Sequence, residues 1–186
     1  MAYQHRSGAL MEAENSTKRL AIFAYGSLLF RPGFVYLERR RAVAHGYARS
    51  FSQASPDHRG TPAQPGRVVT LIERAESSTV GALYFVEGPA LKLLSELDER
   101  ERAGYVRVAL PVATDAETHQ AVTWIAPPGN AYDAGQLSPA ELAAHIRVCT
   151  GPSGRNDDYV FRLEQALAEL GASDAQVSDL AAALRR

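Results

Sequence analysis

The chain has 186 residues, a formal net charge of -1 and one cysteine. That length suits one domain able to bury its own core without disulfides or a structural metal. The near-neutral charge gives nucleic acid or an anionic membrane no electrostatic hold, which leaves a small neutral or zwitterionic molecule as the expected partner.

In chain order, residues 1–19 read as a disordered arm ahead of a single domain over 20–186. Polar and charged side chains from Gln4 to Lys18 interrupt any apolar stretch that would serve as a signal-peptide core. Cys149 cannot form an intramolecular disulfide, which fits a reducing compartment, so a cytoplasmic location is expected. No apolar run approaches the roughly 20 residues that span a bilayer. Residues 20–25 (LAIFAY) form an apolar run halting at Gly26-Ser27, the pattern of a buried strand entering a tight loop. A second strand is expected over 41–51. Pro56, Gly60, Pro62, Pro65 and Gly66 mark a loop over 55–66.

Residues 67–72 and 79–86 are rich in β-branched and aromatic side chains and predict two strands, with the polar ERAESS between them as a hairpin turn. Gly88-Pro89 then opens a helix that places Ala90, Leu93, Leu94 and Leu97 on one face and ends near residues 101–104. Residues 105–113 and 120–126 alternate as paired strands around a turn at Asp115. Beyond Pro127 the pattern is helical. Ser138-Pro139-Ala140-Glu141 is a capping box for a helix that Gly151 closes. Asn156, followed by Asp157 and Asp158, caps a second helix, and Ser173 with Gln176 caps a third. Strands in the first two thirds and helices in the last define an α+β class, with a mostly antiparallel or barrel-like sheet and helices packed outside. Trp124 and Cys149 are expected in the core, and Arg39, Arg40 and Arg41 on a solvated face.

Several site chemistries drop out. None of His5, His45, His58, His119 and His145 stands at metal-ligand spacing with Cys149 or a carboxylate, so no metal is expected. Neither a phosphate-binding glycine loop nor a dinucleotide fingerprint is present, so no cofactor is implied. Ser27 lacks the flanking glycines of a nucleophile elbow. Two features remain. In Tyr25-Gly26-Ser27-Leu28, a strand ends at a glycine free to adopt unusual dihedrals and present successive backbone N–H groups to a carboxylate, although an ordinary strand-to-loop turn is the simpler reading of four residues. Glu101 lies at the C-terminal end of the predicted helix, where the macrodipole and partial burial disfavour an ionised carboxylate and Arg100 and Arg102 oppose them. A solvated glutamate in a charged helix end is the alternative.

Taken together, the blocks from residue 21 to the helical tail resemble the ChaC family of γ-glutamylcyclotransferases. The resemblance rests on FAYGSLLFRPGF at 23–34, DHRGT at 57–61, PGRVVTL at 65–71, LDERERAGY at 97–105 and GPSGRN at 151–156, which runs on to Tyr159 and Phe161. It departs at Ala103, where the family commonly has glycine, and at Phe51, where tryptophan is frequent. The resemblance implies a γ-glutamylcyclotransferase-like barrel without cofactor or metal. It also implies a glutathione substrate whose α-amine attacks its own γ-carbonyl, giving 5-oxoproline and cysteinylglycine. Glu101 is then the acid-base residue. Backbone groups of Tyr25, Gly26, Ser27 and Leu28 would hold the α-carboxylate or the developing oxyanion, Tyr105 and Tyr159 would offer hydroxyls, and Arg59 would pair with the glycyl carboxylate. Each tyrosine has an alternative as a core residue bonded to backbone, and Arg59 as a loop brace. Other γ-glutamyl amines or amino acids are rival substrates, and a non-catalytic γ-glutamyl-binding module is the rival class.

Overall fold

The computed structural model describes residues 19–87 and 91–186. The expected arm therefore lies outside the described residues up to 18, as does the Gly88-Pro89-Ala90 helix opening. Arg19 already belongs to the first strand.

Strand β1 (Arg19–Ala24) is buried on both faces after its first residue, which is why its sequence is a continuous apolar run rather than an alternation. It pairs antiparallel with β3 (Gly66–Glu87) and parallel with β5 (Thr118–Ile125) at Ile22 and Val122. Strand β2 (Glu38–Ser55) lies antiparallel to β3 from Glu38 opposite Phe85 to Ser55 opposite Gly66. Strand β4 (Val106–Ala113) pairs with β5 along its whole length and meets β2 at Val43 and Ala113. The result is a closed barrel in the order β1-β3-β2-β4-β5, as the α+β expectation required.

The hairpin expected at ERAESS does not form. Residues 67–72 and 79–86 are two parts of one strand, both antiparallel to β2 and so running the same way. The segment lacks the glycine or proline that a tight reversal uses, and its polarity records exposure: Glu73, Arg74, Ala75 and Glu76 face solvent on the outer part of a long two-stranded ribbon. The ladder shifts register between His45 and Tyr47 to accommodate it.

Helix α1 (Leu91–Arg100) buries Leu94 and Leu97. Helix α2 (Pro139–Val148) starts with the full capping box, Ser138 accepting from the Glu141 amide and Glu141 from the Ser138 amide. It ends before Gly151: Cys149 is already extended, and Gly151 belongs to the two-residue strand β6 (Thr150–Gly151), paired with β7 (Gly154–Arg155). Helix α3 (Asn156–Glu169) is not capped by Asn156, since Arg155 holds the N-cap position and makes no side-chain cap. The fully buried Asn156 amide instead accepts from the Arg67 N–H at 2.6 Å and donates to the Arg67 carbonyl at 2.8 Å, acting as a strand neighbour for the start of β3. Helix α4 (Ala175–Leu184) is capped by Asp174, one residue past the expected Ser173.

Helices α2, α3 and α4 pack together on one flank through Leu142, Ile146, Val160, Leu163, Leu167, Val177 and Leu180, all buried. Full burial of each such side chain stabilises by about 1.5–3 kcal/mol. Trp124 and Cys149 are buried as expected. The arginine run is less solvated than its composition implies, because Arg40 pairs with Glu38 and covers Phe85 while Arg39 lies 6.0 Å from the Tyr84 ring centre; Arg41 is exposed. Among the described residues no helix is long and apolar enough to cross a membrane.

Candidate active site

The barrel end at which β1 stops opens into a cavity of about 420 Å3. Its walls bring together Glu101, the turn at Tyr25, Gly26, Ser27 and Leu28, and Arg59, Tyr105 and Tyr159, residues drawn from four separate sequence blocks. Topology explains the convergence: β1, β3 and β5 deliver their ends to one rim, and the loops from 55–66 and 151–155 fold over it.

Beyond Tyr25 the chain enters a single helical turn, Ser27–Leu29, with Leu29 N–H bonded to the Gly26 carbonyl at 3.0 Å and Arg31 N–H to the Ser27 carbonyl at 2.9 Å. The amides of Ser27 and Leu28 open this turn and have no acceptor within it. Gly26 has negative φ, at -123°. Glycine is needed there for room rather than for a left-handed backbone, since a Cβ would sit 3.1 Å from Val69 Cγ2 and 3.2 Å from the Tyr159 hydroxyl.

Glu101 follows the last residue of α1, its N–H still bonded to the Leu97 carbonyl at 2.9 Å. Its side chain is only 17% exposed, 3.4 Å from Arg100 Nε. Burial pushes its pKa above the ordinary glutamate value, Asp57 adds to the rise, and the neighbouring Arg100 and His58 pull it back. Of the opposing effects read from sequence, desolvation is the largest and the arginine beside it only moderates it.

The three tyrosines are walls whose hydroxyls meet backbone, Tyr25 and Tyr159 buried and Tyr105 partly so. Tyr25 donates to the Trp124 carbonyl at 2.6 Å and Tyr105 to the Val69 carbonyl at 2.7 Å. Tyr159 differs: it accepts from the Val69 N–H at 3.3 Å, so its own hydrogen stays available beside Gly26. Arg59 is 6% exposed, donates to the Arg155 carbonyl at 2.9 Å and covers the Tyr159 ring, which makes it a brace between two loops. Those loops meet at glycines, since a Cβ on Gly60 would lie 2.1 Å from the Gly66 nitrogen and one on Gly151 2.4 Å from the His58 carbonyl.

Residues 20–186 match the family described as ChaC-like protein. The chain belongs to that family. This ChaC-like chain is 38% identical over 174 residues to γ-glutamylcyclotransferase 2-3 of Arabidopsis thaliana, covering 88% of this chain and 87% of that protein. It is 40% identical over 152 residues to glutathione-specific γ-glutamylcyclotransferase 1 of Danio rerio, covering 78% of each. The crystal structure of the γ-glutamylcyclotransferase specific to glutathione from yeast aligns with a TM-score of 0.82 at 28% identity, over 90% of this chain and 96% of that one. A solved γ-glutamyl cyclotransferase at 17% identity, with a TM-score of 0.56, shares the fold.

Sequence reasoning missed several residues of the ChaC-like cavity. Arg100, Asp57, His58, Ser153 and Arg31 all line it. Arg100 ties Glu101 to the turn after β1, donating to Ser27 Oγ at 3.2 Å and to the Pro32 carbonyl at 3.0 Å. Arg49 stands behind the wall, its side chain 1% exposed, with Nε on the Tyr25 carbonyl at 2.9 Å, Nη1 on Asp174 at 2.9 Å, and Nη2 on the Val80 carbonyl. An arginine sharing a strand face with Tyr47 and Phe51 was the available signal, but its partners are remote in sequence.

Proposed function

We propose that this ChaC-like protein is a glutathione-specific γ-glutamylcyclotransferase, with Glu101 as its acid-base residue. The observation that carries the reading is a half-buried glutamate of raised pKa on the wall of a cavity shared with the Tyr25–Leu28 turn. The relatives' printed activities and the ChaC motifs support the same substrate.

The chemistry needs no protein nucleophile. The substrate's α-amine, with pKa near 8, is mostly protonated at neutral pH. One proton leaves the ammonium for solvent, and Glu101 as carboxylate takes a second from the neutral amine as its nitrogen attacks the γ-carbonyl carbon. The new C–N bond closes a five-membered ring, the old amide C–N bond breaks, and Glu101 returns the proton to the departing cysteinyl nitrogen. Holding the glutamyl group folded for attack supplies roughly 7–11 kcal/mol in favourable intramolecular cases. A carboxylate poised above the usual glutamate pKa is better matched to both proton transfers than a fully solvated one. Charge building on the γ-carbonyl oxygen is met by the Ser27 and Leu28 amides and by the Tyr159 hydroxyl, whose hydrogen is uncommitted. Tyr25 and Tyr105 shape the wall, and Arg59 fixes the loops that close it.

The test is product release. Purified protein incubated with glutathione, γ-glutamylalanine and a γ-glutamylamine should release 5-oxoproline fastest from glutathione, and Glu101→Gln should slow that release at least about a hundredfold. Undiminished turnover in Glu101→Gln removes the catalytic assignment, and binding of glutathione without any turnover by the unaltered protein would make it a binding module.

A further inference from the structure

Three guanidinium groups line the cavity, and among the described residues two of them are committed. Arg59 is committed to the Arg155 carbonyl and the Tyr159 ring, and Arg100 to Ser27, the Pro32 carbonyl and Glu101. Arg31 lines the same cavity yet is exposed, which puts it on the rim. Among the described residues its side chain makes no hydrogen bond or ion pair, although its backbone is held in place by the Ser27 carbonyl. Its positive charge bears on both Arg59 and Arg100, which line the same cavity, so the three cations repel one another. An anion at the rim would relieve that repulsion and use the planar fork of donors that Arg31 alone still offers.

On the reading proposed above, the γ-glutamyl group sits inward beside Glu101 and the leaving group extends outward. Two extended residues reach roughly 7 Å, so a leaving dipeptide carries its terminal carboxylate toward the rim, whereas a γ-glutamylamine brings no charge there. We propose that Arg31 binds the terminal carboxylate of the leaving dipeptide and thereby selects γ-glutamyl peptides over γ-glutamylamines. This rests on the γ-glutamylcyclotransferase reading, and Arg31 is a specificity residue in it rather than a proton carrier.

The test compares glutathione with its C-terminal carboxamide, which differs only in the charge Arg31 would read. Unaltered protein should favour glutathione in kcat/KM by about tenfold, the scale of one charge-assisted contact. The difference should lie mainly in KM, and Arg31→Gln should erase it while leaving the carboxamide's kinetics unchanged. Arg31→Lys should restore part of it. Calorimetric binding of both compounds to Glu101→Gln, with and without Arg31→Gln, reads the same contact independently of turnover. Equal affinity for the two compounds, or equal loss for both in Arg31→Gln, overturns the proposal; the second result would mean that Arg31 holds the α-carboxylate instead. Failure of the unaltered protein to turn over glutathione would count against the proposed function alone, because the binding ratio still reports on Arg31.

Discussion

The cavity end and the helical flank are both buried, but they are held by different forces. On the flank, Leu163, Leu167 and Val177 are buried among other apolar side chains and stabilise by area alone, without direction. Around the cavity, Tyr25, Arg49, Asn156 and Tyr159 are buried polar groups and Tyr105 a partly buried one, each tied to a backbone group distant in sequence. Losing apolar area weakens the fold generally. Losing one directional bond leaves a desolvated partner behind and moves a wall of the site. Stability is therefore dispersed in one region, and geometry is concentrated in the other.

Substitutions in the two regions should separate these properties, and the largest effect belongs to Glu101→Gln. It should lower kcat by about 10²- to 10⁴-fold, the range of general acid-base catalysis, while circular dichroism shows an intact fold. Arg49→Met should cost about 3 kcal/mol or more in denaturant unfolding, because it strands Asp174 and the Tyr25 carbonyl. It should also reduce kcat in the protein that remains folded, through displacement of Tyr25. Leu163→Ala should lose a comparable ~2–5 kcal/mol, with kcat/KM per folded molecule unchanged. If Leu163→Ala altered the kinetics as Arg49→Met does, the division drawn between the regions would not hold. Tyr159→Phe should lower kcat about tenfold, as expected for one hydrogen bond to a developing charge, with a far smaller change in stability than Arg49→Met.

The smallest effect concerns pH. Glu101 has a folded pKa above its unfolded value, so the folded state binds that proton more tightly. Its contribution favours folding below the ordinary glutamate pKa and is lost as pH rises through the raised folded value. At neutral pH, Glu101→Gln should then melt slightly higher than the unaltered protein, an advantage that disappears in acid. A lower melting temperature at neutral pH would mean that its pairing with Arg100 outweighs desolvation.

Much of the barrel was legible because local pattern and tertiary role agree. The LAIFAY run, the strand alternation from 106 to 125 and the Ser138 capping box all appear where their periodicity placed them. ERAESS misled because polarity marks exposure in a strand as readily as in a turn. Asn156 misled because the same short amide that caps a helix can pair with a strand, and only the position of Arg67 selects between them.

By itself, the order of residues determined the α+β class and the ChaC-like blocks, in one of which lies Glu101, the proposed acid-base residue. These depend on short-range periodicity and on motif spacing, both written along the chain. Tertiary structure alone decided that Glu101 is largely desolvated and that, among the described residues, Tyr159 keeps a free hydrogen while Tyr25 and Tyr105 do not and Arg31 is left without a partner when Arg59 and Arg100 are taken. Burial and hydrogen-bond commitment depend on which atoms arrive from elsewhere in the fold, and those arrivals are set when the barrel closes.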